Sequence, residues 1–289
     1  MYKTILLTGI PRSGSTLSCS ILNEFENTVA LMEPMEVMKI ETSKGSVNAC
    51  FEISNFAFES RKKILYEAKV STRQQGGIIP TNPIQEIKAQ KDSLRKPIVS
   101  LGEMEISKVI EKDFTLVIKH NAFFTAILDH LISFFPCYGI IRNPLSVLAS
   151  WATVDLPVHD GHIPAGERFD STLKNKLENT NDVLERQIMV LDWFFERFDR
   201  LLPQKNILKY EDIILKDGWN FNVMAYAGAK REQKTSLKSK NSNRIYQEVD
   251  IDLIYKKLIQ TQSIFWKYYT LEEMNEVYKD LLFPSYSEG

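Results

Sequence analysis

Short apolar runs alternate along the chain with stretches whose apolar residues recur at helical spacing. The runs are Lys3 to Thr8, Thr28 to Met32, Thr115 to Lys119, Cys137 to Ile141 and Asn206 to Tyr210. This alternation predicts strands of a parallel sheet with helices on both faces, the helices starting near Thr16, Phe123, Pro144, Lys176 and Asp217. Between Asn181 and Leu202 the residues Leu184, Ile188, Leu191, Phe194, Phe195, Phe198 and Leu202 keep a helical period, which predicts a core helix. Two segments fall outside the pattern. Residues 44–112 carry Gly76, Gly77, Pro80, Pro83 and Pro97, and residues 153–172 carry Pro157, His159, Gly161, His162, Pro164 and Gly166. Long connections inside a compact domain tend to be functional, so both are expected to form the walls and lid of a pocket.

The first strand runs into Gly9-Ile10-Pro11-Arg12-Ser13-Gly14-Ser15-Thr16, where a helix begins. Against the Walker pattern G-x-x-x-x-G-K-[ST], Gly9, Gly14 and Thr16 fall into place, and Ser15 stands where the lysine would reach the β- and γ-phosphates. Backbone N–H groups and the positive end of the helix still favour an anion, and Arg12 supplies a positive charge inside the loop. The expected fold is α/β, a P-loop NTPase-like three-layer arrangement with a central parallel sheet of about five strands and helices on both faces. In such sheets ligands sit at the carboxyl ends of the strands, where this loop lies.

The loop, followed by Ile141-Arg142-Asn143-Pro144 and by Ser150 eight residues after the arginine, resembles the two anion-binding motifs of sulfotransferases that use 3′-phosphoadenosine 5′-phosphosulfate (PAPS). The resemblance implies that Arg12, Ser13, Gly14, Ser15 and Thr16 hold the 5′-phosphosulfate. It also implies that Arg142 and Ser150 clamp the 3′-phosphate through charge-assisted hydrogen bonds. Further along, Tyr210-Glu211-Asp212 resembles the family's segment whose tyrosine lies near the adenine. Ser236, Lys238 and Ser242 resemble its loop over the nucleotide. Tyrosylprotein sulfotransferases add an arginine four residues beyond the helix serine, where this chain has Val154, so a peptide-tyrosine acceptor is disfavoured.

Sulfuryl transfer needs positioning, positive charge beside the departing phosphate, and a base for the acceptor proton. Arg12 and Lys119 are the candidate cations, Lys119 matching a strand-end lysine of tyrosylprotein and carbohydrate sulfotransferases. Two candidate bases remain open. Glu33 follows the second strand in Met32-Glu33-Pro34, like the strand-end glutamate of those enzymes, and His120 lies near the histidine position of the cytosolic steroid and phenol enzymes. On a strand, neighbouring side chains point to opposite faces, so a Lys119 turned to the nucleotide would send His120 away and favour Glu33.

With 289 residues, 44% of them hydrophobic, the chain is long enough for one sizeable domain, read here as residues 1–289. A net charge of −1 offers no basic surface for nucleic acid, a membrane or an acidic polysaccharide, which points the acceptor towards a small metabolite or natural product with a hydroxyl or amine. Three cysteines, Cys19, Cys50 and Cys137, suit a reducing compartment, and a strand opening near position 2 leaves no signal peptide, so a cytoplasmic protein is expected. His159 and His162 lack further ligands nearby, and no metal is expected. A P-loop kinase or NTPase would need the Walker lysine and a strand ending in a magnesium-binding aspartate. The apolar runs ending in Asp129 and Asp192 lie instead in predicted helices. A non-catalytic adenosine-bisphosphate-binding protein could keep the cradle alone, and the presence of Lys119, Glu33 and His120 together argues against it.

Overall fold

The structure is a computed structural model and describes residues 3–87, 93–232, 237–239, 241 and 244–283. Its centre is a five-stranded parallel sheet in the order β2-β5-β1-β6-β7, built from β1 (Thr4–Gly9), β2 (Thr28–Met32), β5 (Thr115–Lys119), β6 (Cys137–Ile141) and β7 (Ile207–Lys209). Helices flank the sheet in a P-loop-like three-layer α/β fold. The middle strands are buried along almost their whole length, which is why their sequences are apolar without alternation. After β1 the chain passes to the edge strand β2 and returns to β5 between β2 and β1, then crosses to β6 and β7 on the other side. That reversal puts the crevice of the sheet at the carboxyl ends of β1 and β6.

The periodic Asn181–Leu202 stretch is the helix Val183–Leu201, capped by the Asp182 carboxylate accepting from the Glu185 N–H (2.7 Å). The helix expected from Lys176 is a separate one, Ser171–Glu178, because the polar run Asn179 to Asp182 interrupts the period and supplies the next cap. The helix expected near Phe123 is likewise split into Ala122–Ala126 and Leu128–Leu131. Asp217 starts no helix. Asp217 and Gly218 both take left-handed backbone (φ 49° and 77°), and only a short 3-10 turn, Trp219–Val223, follows.

The 44–112 segment holds more regular structure than its glycines and prolines suggest: a 23-residue helix, Gly45–Glu67, and an antiparallel pair, β3 (Lys69–Gln74) with β4 (Ser100–Glu105). The pair docks on the edge of β2, where the Thr72 hydroxyl accepts from the Met32 N–H (2.8 Å) and donates to the Met32 carbonyl (3.2 Å). This clamp carries the segment to the carboxyl ends of the strands. The three cysteines are free and buried, and burial pushes the Cys19 thiol up to about 12. No described helix is long and apolar enough to cross a membrane.

Candidate active site

A cavity of about 1180 Å³ opens over the carboxyl ends of β1, β2, β5 and β6. At its base Gly14 takes φ 89° and turns the chain into the helix Ser15–Leu22, whose first residues Ser15 and Thr16 line the cavity. A Cβ at Gly14 would lie 2.6 Å from the Tyr210 ring, so glycine is required there both for its backbone and for its lack of a side chain. Gly9 is as tightly placed: a Cβ would meet the Ile140 Cβ, the Ile140 carbonyl and the Ser13 hydroxyl at 3.1 Å. The Ser13 hydroxyl donates to the Ile140 carbonyl (3.1 Å), tying the loop to β6 away from the cavity wall.

Arg12 and Glu33 are both non-glycine residues in left-handed backbone (φ 72° and 43°), a conformation that costs roughly 1–2 kcal/mol. Each is held there by a neighbouring strand end. Arg142 Nη1 donates to the Arg12 carbonyl (3.0 Å), and the Glu33 N–H donates to the Lys119 carbonyl (2.8 Å). Strain fixed in this way at two loop positions of one cavity marks a site whose side chains have been aimed.

Arg142 ends β6, stacks over the Tyr210 ring (4.3 Å to the centroid) and donates from Nη2 to Asn241 Oδ1 (2.6 Å). Its Nε is buried and has no hydrogen-bond partner among the described residues. Asn143 caps the following helix, its Oδ1 accepting from the Leu145 N–H (3.1 Å), with Pro144 at the first helical position. That helix, Pro144–Trp151, carries Ser150 back towards the loop. The Ser150 hydroxyl, fully buried, accepts from Arg12 Nε (3.1 Å) and does not line the cavity. The strand-end arginine and the helix serine are therefore joined through Arg12 and not to each other. Burial draws the Arg12 guanidinium down to about 10; Tyr246 opposes the shift, and Arg95 and Arg142 add to it.

On the other wall, Lys119 is buried and donates from Nζ to Glu33 Oε1 (2.7 Å), while Arg73 Nε lies 3.7 Å from the second carboxylate oxygen. Burial pushes the Glu33 carboxyl up, but Lys119, His120 and Arg73 outweigh it and bring it to about 2. His120 does not face away. β5 ends at Lys119, so strand alternation no longer governs the next residue, and both side chains line the one cavity. The Met35 N–H donates to His120 Nε2 (3.3 Å), and the ring packs edge-on against Phe123 and Phe124. Burial holds the imidazole at about 3, with Lys119 and Arg73 adding to the effect and Glu33 opposing it.

Both irregular segments reach the cavity. Arg73, Asn82, Arg95 and Val99 come from 44–112, and Leu156, Val158, His162 and Ile163 from 153–172. His159 and His162 point to different partners, Nδ1 of the first against the Trp151 carbonyl (3.2 Å) and Nδ1 of the second against Glu167 (3.3 Å). Among the described residues no group of three or more His, Cys, Asp or Glu could hold a metal. Lys238 lines the cavity; Ser236 and Ser242 lie outside the described residues. Sequence reasoning missed Arg73, Asn82, Arg95, Asn241 and Tyr246, which no local motif announces. Asn82 Oδ1 accepts from Arg12 Nη2 (3.1 Å) across 70 positions of chain. Comparison with known proteins leaves the site to its geometry, for no family model matches the chain and no curated protein matches it.

Proposed function

We propose that this protein is a PAPS-dependent sulfotransferase, moving a sulfuryl group onto a hydroxyl or amine of a small-molecule acceptor without a metal. The observation that carries the reading is one cavity shared by a P-loop lacking the lysine of an NTPase, a strand-end arginine, and a buried lysine–glutamate pair. The residues fit a nucleotide with two anionic ends. The loop and helix start offer N–H groups to one end, and Arg142, which lines the cavity and whose buried Nε has no hydrogen-bond partner among the described residues, answers the other. A cavity of about 1180 Å³ exceeds the few hundred to about 1,000 Å³ usual for a single small ligand, which leaves room for nucleotide and acceptor together.

In this reading Arg12 and Lys119 stabilise the charge that grows on the leaving oxygen, and Glu33 takes the acceptor proton. Glu33 is a weak base while it holds Lys119 at 2.7 Å. When the ammonium turns to the donor, the carboxylate loses its strongest partner and becomes more basic. Access also favours Glu33 over His120: its side chain is 32% exposed, whereas His120 Nε2 already accepts from the Met35 N–H. Apolar residues such as Met35, Val37, Phe123 and Ile163 surround this end of the cavity and suit an acceptor with an apolar body.

Calorimetry tests the reading directly. 3′-Phosphoadenosine 5′-phosphate (PAP) is expected to bind at least about tenfold more tightly than ATP, the least that the interactions of one charged group with a second phosphate would give. Equal affinity for ATP would remove the assignment. Transfer of labelled sulfate from PAPS to members of an acceptor library then identifies the substrate.

A further inference from the structure

Three guanidiniums meet at the nucleotide end of the cavity, and only two of them belong to motifs. Arg12 comes from the loop, Arg142 from the tip of β6, and Arg95 from the irregular 44–112 segment. Arg95 is 2% exposed. Its main chain is stitched to the second irregular segment: the Arg95 N–H donates to the Thr153 carbonyl (3.0 Å), and the Asp155 N–H donates to the Arg95 carbonyl (2.9 Å). Its Nη1 donates to the Gln85 carbonyl (3.2 Å) and its Nη2 to Thr153 Oγ1 (2.7 Å). The Thr153 hydroxyl in turn donates to the Ser150 carbonyl (2.9 Å), and the Ser150 side chain holds Arg12. One helix end thus ties Arg95 to Arg12.

Every partner these three side chains have in the structure is neutral. Arg12 bonds Ser150 and Asn82, Arg142 bonds Asn241 and the Arg12 carbonyl, and Arg95 bonds Thr153 and Gln85. Among the described residues none of the three forms an ion pair. Of the wall carboxylates Glu33, Glu36 and Glu86, the first pairs with Lys119 and Arg73 and the second with Lys39, and among the described residues Glu86 forms no ion pair with any of the three guanidiniums. The Nε atoms of Arg95 and Arg142 are both buried and have no hydrogen-bond partner among the described residues. Buried like charges with open donors are costly unless an anion answers them, and the planar fork of arginine matches phosphate oxygens. The repulsion is felt at Arg12, whose guanidinium burial, Arg95 and Arg142 pull down against the opposing effect of Tyr246.

We propose that Arg95 is a binding residue, completing with Arg142 and Arg12 a three-guanidinium pocket for one doubly charged phosphoryl group, Arg12 being shared between that group and the leaving oxygen. In a PAPS-type nucleotide that group is the 3′-phosphate, and only this identification rests on the function proposed above. The segment bearing Arg95 therefore serves the nucleotide as well as the acceptor. It brings Asn82 to Arg12 and Arg95 to Thr153.

The full-length protein and its Arg95→Gln variant are titrated with PAP, with adenosine 5′-phosphate, which lacks the 3′ group, and with inorganic phosphate. The variant is expected to bind PAP about tenfold or more weakly and adenosine 5′-phosphate within about twofold of the parent. Thermal protection by inorganic phosphate is expected to fall. No loss for PAP, or an equal loss for both nucleotides, overturns the proposal. Should the parent itself fail to prefer PAP over adenosine 5′-phosphate, the nucleotide reading is what fails. Arg95 is then judged on inorganic phosphate alone: undiminished protection in the variant overturns the anion site, and loss of protection supports it. If Arg95→Gln does not fold, Arg95→Lys, which keeps the charge and loses the fork, carries the test. A loss for PAP of about threefold or more supports the proposal, and unchanged affinity overturns it.

Discussion

At the Lys119 end of the cavity the charges are closed on one another. The ammonium lies 2.7 Å from one oxygen of Glu33, and Arg73 lies 3.7 Å from the other. At the Arg142 end they are left open: among the described residues Arg12, Arg95 and Arg142 have only neutral partners, and two of their Nε atoms have none. The same kind of group, a buried cation, is handled in two ways within one cavity. A closed pair holds its members ready to part during a reaction, whereas an open cluster is completed by a ligand. The first region is read as chemistry and the second as recognition, with Arg12 serving both.

The largest effect that could break this division is on turnover. Glu33→Gln keeps shape and removes basicity, and loss of a general base is expected to lower kcat by roughly 10²- to 10⁴-fold with PAP affinity within about twofold of the parent. Steady-state kinetics alongside calorimetry check both halves. His120→Gln is expected to cost far less. Near-normal turnover in Glu33→Gln with loss in His120→Gln would transfer the base to the histidine.

The second prediction concerns the open cluster. Arg142→Ala removes a cation that binds through charge-assisted bonds, each worth about 1.5–3 kcal/mol, so PAP affinity is expected to fall about tenfold or more. Stability of the ligand-free protein is expected to change little, because the change also relieves crowding among like charges. A large fall in melting temperature without ligand would show that the cluster is structural and would collapse the comparison.

Acid titration probes the closed end more gently. Glu33 stands at about 2 against an ordinary 4.5, and His120 at about 3 against 6.5. Both folded values are depressed, so the unfolded chain takes up these protons first. The stability the groups contribute is complete above about pH 6.5 and is lost as pH falls towards 2 to 3. Chemical unfolding at a series of pH values is expected to show a shallower decline for His120→Gln between pH 6.5 and 3, and for Glu33→Gln only between 4.5 and 2. The smallest effect expected is none: turnover is expected to survive a chelator if, as proposed, Arg12 and Lys119 supply the positive charge. Loss of activity in EDTA, restored by magnesium or zinc, would return the site to a metal-dependent reaction.

Much of the frame was legible because it is written locally. Apolar runs of five residues mark strands that helices cover, and a glycine with φ 89° where a side chain would strike Tyr210 leaves its trace as Gly14. Arg142 at a strand end and Ser150 eight residues on are readable for the same reason, since one turn and one short helix join them. The direction of His120 was misjudged because alternation holds only while a strand lasts, and β5 stops one residue earlier. The split of the Lys176 region into two helices turned on a cap at Asp182, a signal present in the chain but outweighed by the period around it.

What the sequence by itself determined is the α/β order of elements, the loop and its missing lysine, and the residue types at the strand ends. These depend on backbone preferences and periodicity within about ten residues of chain. Only the tertiary structure decided what each charge meets. Glu33 meets Lys119 across 86 positions, Arg12 meets Ser150 across 138, and Arg95 reaches Thr153 across 58. Such partners are set by how the 44–112 segment docks on the edge of β2 and folds over the strand ends, and no local rule encodes a distance between side chains that only packing brings together.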